Sequence, residues 1–190
     1  MEQLNVLKEQ LLKGEELLWS GQPEGFETLD AEYKPSYIRR LIIVILIAAA
    51  FCAGYIAVAL KNGTGVKPGI PVIVLAFAAY TLINPFSDVK NLKKNYLYAV
   101  SNRRVFVITD KVKSAEIAEI PSVSVRRDSA GTVSFLFAEA AKTQKNSAIR
   151  SLAVTCINKD GEDFAKNIVM YGVKDSEGLK KVLKQYMPVA

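Results

Sequence analysis

Residues 41–60 read LIIVILIAAAFCAGYIAVAL, twenty positions without a charge. At 1.5 Å per helical residue such a run spans about 30 Å, the thickness of a bilayer core. A soluble helix of this length carries a polar stripe toward water, and this run has none. A second uncharged run, residues 68–87, places Pro71 near its start and Asn84-Pro85 near its end. Proline suits a first helical turn, and Pro85 is expected to mark where the second span stops. The linking KNGTGVK is long enough only for a turn. The pattern predicts a transmembrane helical hairpin over residues 37–87.

Beyond residue 94 the period changes to two. YLYAVS and RRVFVITD flank Ser101-Asn102, where asparagine suits a tight turn with positive φ. KSAEIAEI, SVSVRRD, TVSFLFA, SLAVTCIN and FAKNIVMYG follow, separated by short turn segments and by a polar loop over 139–147. Seven short strands with hairpin-length connections predict an antiparallel sandwich or barrel. A final helix capped by Asp175 or Ser176 places Leu179, Val182, Leu183 and Tyr186 on one face, expected to seal the core, with Lys180, Lys181 and Lys184 opposite.

Ahead of the hairpin, Leu4, Leu7 and Leu11 fall at helical spacing, with Gly14 as a stop. So short a helix needs a surface to pack on. In EELLWSG the apolar Leu17 and Trp19 alternate with polar neighbours, which predicts a short strand. Docking of residues 15–21 on the C-terminal domain is the preferred reading; interfacial anchoring of the tryptophan and a partner-binding epitope are the alternatives.

YLYAVSNRRVFVITD resembles the opening hairpin of bacterial pleckstrin-homology-like membrane proteins through Tyr98, Ser101, Asn102 and Arg104. GEELLWSGQP resembles the glycine-glutamate, apolar, tryptophan, glycine-x-proline segment that precedes the membrane hairpin in the same proteins. The resemblance covers the whole layout. It implies a fold and a membrane tether, and no shared biochemical activity. The expected architecture is a membrane α+β protein: an acidic N-terminal cytoplasmic segment (1–36), the hairpin (37–87), and a cytoplasmic PH-like seven-stranded antiparallel barrel or sandwich with a C-terminal helix (94–190).

Charge sharpens this picture. Eight acids face two lysines in the first 33 residues, whereas residues 88–190 hold eighteen bases and eleven acids. Opposite charge favours association of head and tail. Lys34, Arg39 and Arg40 precede the first span, and Lys90, Lys93 and Lys94 follow the second; the connecting turn has only Lys61 and Lys67. Positive charge is retained inside, which predicts a multi-pass protein of the cell membrane with both termini cytoplasmic.

The chemistry is sparse. The chain has no histidine and only Cys52 and Cys156, at no metal-ligand spacing, and neither a phosphate loop nor a signal peptide is recognised. Asp160, Glu162 and Asp163 read as solvated turn acids. No catalytic, cofactor-binding or metal residue is expected, and nucleic acid is not an expected partner. Two non-enzymatic functions remain. One is a tethered interaction module scaffolding a protein partner or its own oligomer, with Leu17, Trp19, Arg103 and Arg104 as docking or interaction residues. The other is a lipid-responsive module in which Arg39, Arg40, Lys90, Lys93 and Lys94 meet anionic head groups. Arg103 and Arg104, at the start of a strand, are read as turn-anchoring groups rather than a phosphate clamp. The bases Lys142, Lys145 and Arg150 are expected to add a surface contact.

Overall fold

The computed structural model describes residues 2–24, 27–29, 31, 33–143, 145–153 and 161–189. The chain divides into two compact units, one built from Met1–Glu27 with Asp88–Ala190, the other from Thr28–Ser87.

The smaller unit contains helix α2 (Lys34–Lys61) and the first part of α3 (Gly69–Asn95). Both are long and apolar enough to cross a membrane. Their aliphatic side chains point outward: Leu46, Ile47, Leu60, Ile73 and Phe77 are all more than half exposed. A soluble protein would bury such a surface. The Tyr37 hydroxyl donates to the Leu82 carbonyl at 3.2 Å and its ring meets Phe86 edge-on at 5.9 Å. At the other end the Tyr55 hydroxyl accepts from the Lys67 amide at 3.0 Å. The helix does not stop at Pro85, as expected from sequence; it runs through to Asn95. One proline removes one helical hydrogen bond, and the turns beyond it have their own anchor, Leu92, fully buried in the core of the larger unit.

The larger unit contains two antiparallel sheets, β1-β2-β3-β4 and β5-β6-β7. The first comprises β1 (Leu17–Gly21), β2 (Leu97–Ser101), β3 (Arg104–Ile108) and β4 (Val112–Glu116). The second comprises β5 (Val123–Arg127), β6 (Val133–Phe137) and β7 (Val169–Met170). Tyr98, Val100, Val105 and Val107 point into a core shared with Phe135, Phe137, Met170, Leu179 and Leu183. The outer face of the first sheet is covered as well. Helix α1 (Glu2–Gln10) lays Leu4 and Leu7 on Leu97, Ala99, Phe106 and Ile108, joined by Leu11 and Leu17. All five residues of β2 are therefore buried, which explains why YLYAVS lacks clean alternation.

Seven strands are described, but their membership differs from the expected one. β1 comes from the N-terminal segment. In SLAVTCIN, residue 151 ends helix α4 (Asn146–Ser151) and residues 154–160 lie outside the described residues. Ile149 and Ala153, four residues apart, are both buried, a helical spacing that the apparent alternation concealed. FAKNIVMYG begins in helix α5 (Glu162–Lys166), entered through Gly161 at φ 77°, with only Val169–Met170 as strand. The expected loop over 139–147 holds a 3₁₀ turn over Ala138–Lys142 and the start of α4.

Helix α6 (Ser176–Leu183) is capped by Asp175, whose carboxylate accepts from the Gly178 amide at 3.0 Å. Leu179 and Leu183 are fully buried. Tyr186 is 41% exposed, contrary to the expected seal, because the helix ends at Leu183 and the following turn brings Met187 inward instead.

Candidate functional site

The two stretches that carry the family resemblance meet in space. Gly14 has φ 79°, a left-handed conformation that only glycine adopts cheaply. It turns the chain out of α1 so that Glu15 points into the β2–β3 connection. The Glu15 carboxylate accepts from the Leu12 amide at 2.9 Å, Ser101 Oγ at 2.6 Å, Arg104 Nε at 3.0 Å and Arg104 Nη2 at 2.5 Å. Its side chain is wholly buried and that of Arg104 is 17% exposed. The Arg104 guanidinium, with further help from Leu12 and Ser101, outweighs the desolvation penalty and holds the Glu15 carboxyl down at about 2. Arg104 also donates to the Gln10 carbonyl at 2.9 Å and sits 4.8 Å above the Phe106 ring.

Asn102 completes the clasp. Its Oδ1 accepts from the Glu16 amide at 3.1 Å, and its own amide donates to the Glu16 carbonyl at 3.0 Å. The expected positive φ is not adopted: among the described residues only Ala138 and glycines have it. The turn is held by these side-chain bonds and by Ser101 Oγ, which accepts from the Arg103 and Arg104 amides at 3.1 and 2.8 Å.

The rest of the N-terminal stretch follows from β1. Leu17 joins the outer cluster beneath α1, and Trp19 lies on the inner face, 8% exposed. The Trp19 indole donates to Asp175 Oδ2 at 3.0 Å, so one carboxylate both caps α6 and holds β1. Gly21 leaves room for the ring, since a Cβ there would stand 2.6 Å from Trp19 Cζ2. Pro23 bridges to Val173, and the Glu24 amide donates to the Gly172 carbonyl.

A second polar network lies in the core. Tyr98 Oη accepts from the Tyr171 amide at 3.2 Å, and Arg150 Nε donates to Tyr171 Oη at 2.8 Å. Tyr171 Oη in turn reaches Asp128 at 3.3 Å. Burial, with Asp128 adding to it, pushes the Tyr171 hydroxyl up to about 12 despite Arg150. Arg150 is 5% exposed, which removes it from the surface bases expected to meet lipid; Lys142 and Lys145 are exposed.

Arg39, Arg40, Lys90, Lys93 and Lys94 are all exposed, the first two on α2 and the others on the last turns of α3. Arg103 is exposed at the β2–β3 turn, while Arg104 is taken up by Glu15. Among the described residues no cluster of three or more acids, cysteines or histidines is disposed to hold a metal. Sequence reasoning set residues 15–21 and their acids against the basic domain but missed the pairing of Glu15 with Arg104 and the second role of Asp175. Glu15 and Glu16 are adjacent acids whose distinct roles follow from the turn at Gly14, and Asp175 was read only as a helix cap. No family model, curated protein or solved structure matches the chain.

Proposed function

We propose that the chain is a membrane-tethered, non-enzymatic interaction module. The α2–α3 hairpin crosses the cell membrane twice, both termini lie in the cytoplasm, and the larger unit is a PH-like domain that scaffolds a protein partner or a second copy. The observation that carries the proposal is the pair of long helices whose uncharged runs turn aliphatic side chains outward. Bases in the first turns of α2 and at the end of α3 outnumber those around the connecting turn, which supports the orientation. The absence of histidine from the sequence, and residue chemistry spent on internal clasps, support a role without catalysis. Cysteine labelling tests the tether. With Cys52 and Cys156 replaced, Asn62→Cys is expected to react with an impermeant maleimide on intact cells and Lys111→Cys only after permeabilisation. The reverse pattern rejects the orientation, and recovery of the chain in the soluble fraction rejects the tether. Photo-crosslinking in membranes then tests the module reading, which expects a discrete protein adduct.

The exposed Arg39, Arg40, Lys90, Lys93 and Lys94 favour a second reading, engagement of anionic head groups at the inner leaflet. Each base near an anionic surface contributes on the order of 1 kcal/mol. Crosslinking to lipid alone, with salt-sensitive preference for anionic vesicles, would select it.

A further inference from the structure

Strand β5 is an edge of the second sheet. Its hydrogen-bond phase is set at both ends: the Ala138 amide donates to the Ser122 carbonyl, and the Asp128 amide donates to the Thr132 carbonyl. Antiparallel pairs alternate between bonded and non-bonded positions. The even-numbered residues of β5 thus turn their backbone groups toward β6, and Val123, Val125 and Arg127 turn theirs outward. The first outward position is already used. The Val123 amide donates to the Pro188 carbonyl at 3.2 Å, and Val189 bridges Val123 in parallel. This edge accepts an extended chain, and the C-terminal residues cover one end of it.

The next two positions, Val125 and Arg127, have no such partner among the described residues. Beside them lies a groove of about 260 Å³, floored by Phe135 and walled by Val125 and Val133 on the sheet and by Ser176, Glu177 and Lys180 on α6, with Arg127 at its mouth. Its lining is mixed, apolar below and charged at the rim, with two cations against one carboxylate. Exposed edge strands are a standing template for strand addition, which supplies main-chain bonds while alternate side chains enter an adjacent pocket.

We propose that the β5 edge and the α6 groove bind an extended acidic segment of a protein partner, which adds as a further strand alongside Val125 and Arg127. An aliphatic side chain of that segment enters the recess over Phe135, and its carboxylates face Arg127 and Lys180. A second copy is disfavoured, since its own β5 brings Arg126 and Arg127 to the same edge. The inference rests on the interaction-module reading and gives it a site and a partner chemistry.

The test uses the full chain in non-ionic detergent. The probe is a short blocked peptide alternating glutamate with valine, set against a lysine–valine peptide and a proline-interrupted glutamate peptide. Amide exchange at Val125 and Arg127 is followed by NMR, and affinity by peptide fluorescence anisotropy. The acidic peptide is expected to slow exchange at both amides and to bind about tenfold more tightly than the basic one, from two surface charge pairs. Proline interruption is expected to abolish binding, and Arg127→Glu with Lys180→Glu to reverse the charge preference. Equal binding of the two alternating peptides, or unchanged exchange with the acidic one, overturns the proposal. Concentration-dependent protection of both amides without peptide also overturns it, in favour of a second copy. The module reading fails separately, through the absence of any protein adduct in membranes.

Discussion

Replacing Glu15 by glutamine keeps the shape of the clasp and removes its charge. The Arg104 guanidinium, 17% exposed, then loses its only ion-pair partner among the described residues, and one of the donors around position 15 meets an amide nitrogen. Two routes bound the cost. A carboxyl held at about 2 against an ordinary 4.5 corresponds to about 3 kcal/mol. Breaking one side of a buried pair costs about 3–5 kcal/mol. The expected loss at neutral pH is therefore about 3 kcal/mol. Trp19 reports it directly, being the only tryptophan and lying on β1, four residues from Glu15. Urea unfolding of the full chain in detergent, followed by Trp19 emission, is expected to shift to lower denaturant in Glu15→Gln. The pH dependence adds a second test. The folded carboxyl titrates below the unfolded one, so between those values the unfolded chain holds more protons and stability rises with pH. The gap between wild type and variant is thus full above about 4.5 and closes as pH falls toward 2. A gap below about 0.5 kcal/mol at pH 7, far short of the cost of breaking a buried pair, or one unchanged at pH 3, would refute the reasoning.

The remaining predictions concern packing. Gly21→Ala places a methyl within 2.6 Å of the Trp19 ring and is expected to cost about 1–3 kcal/mol and redden Trp19 emission; unchanged emission would mean that the ring has other room. Leu183→Ala should destabilise the larger unit by about 2–5 kcal/mol, while Tyr186→Ala, at an exposed position, should change denaturation midpoints little. Equal effects would contradict the end of α6 at Leu183. Leu7→Ala, at the centre of the outer cluster, should cost about 2–5 kcal/mol and raise exchange at the Leu97 and Ala99 amides; loss of stability without that local exchange would place the helix elsewhere.

The sequence by itself determined the helices best. Two uncharged runs long enough for a bilayer, and a leucine repeat followed by glycine, are one-dimensional signals: a helix satisfies its backbone internally, so its period is written in consecutive residues. It also determined that Leu17 and Trp19 belong to a short extended segment. Only the tertiary structure decided which surfaces those residues meet. The burial of Leu97 and Ala99, on the outer face of β2, depends on α1, which lies some ninety positions earlier in the chain. SLAVTCIN and FAKNIVMYG alternate as strands do, yet Ile149, Ala153, Phe164 and Ala165 are buried from helical or turn segments, because short apolar runs fit either period until a neighbour selects one face. The same holds for the site. Gly14, Glu15, Ser101, Asn102 and Arg104 are visible as two motifs, but sequence patterning cannot say that one motif supplies the carboxylate and the other its donors. Pairing of that kind is fixed by strand register, Leu17 against Ser101 and Gly21 against Tyr98, and register is set by what the whole sheet buries.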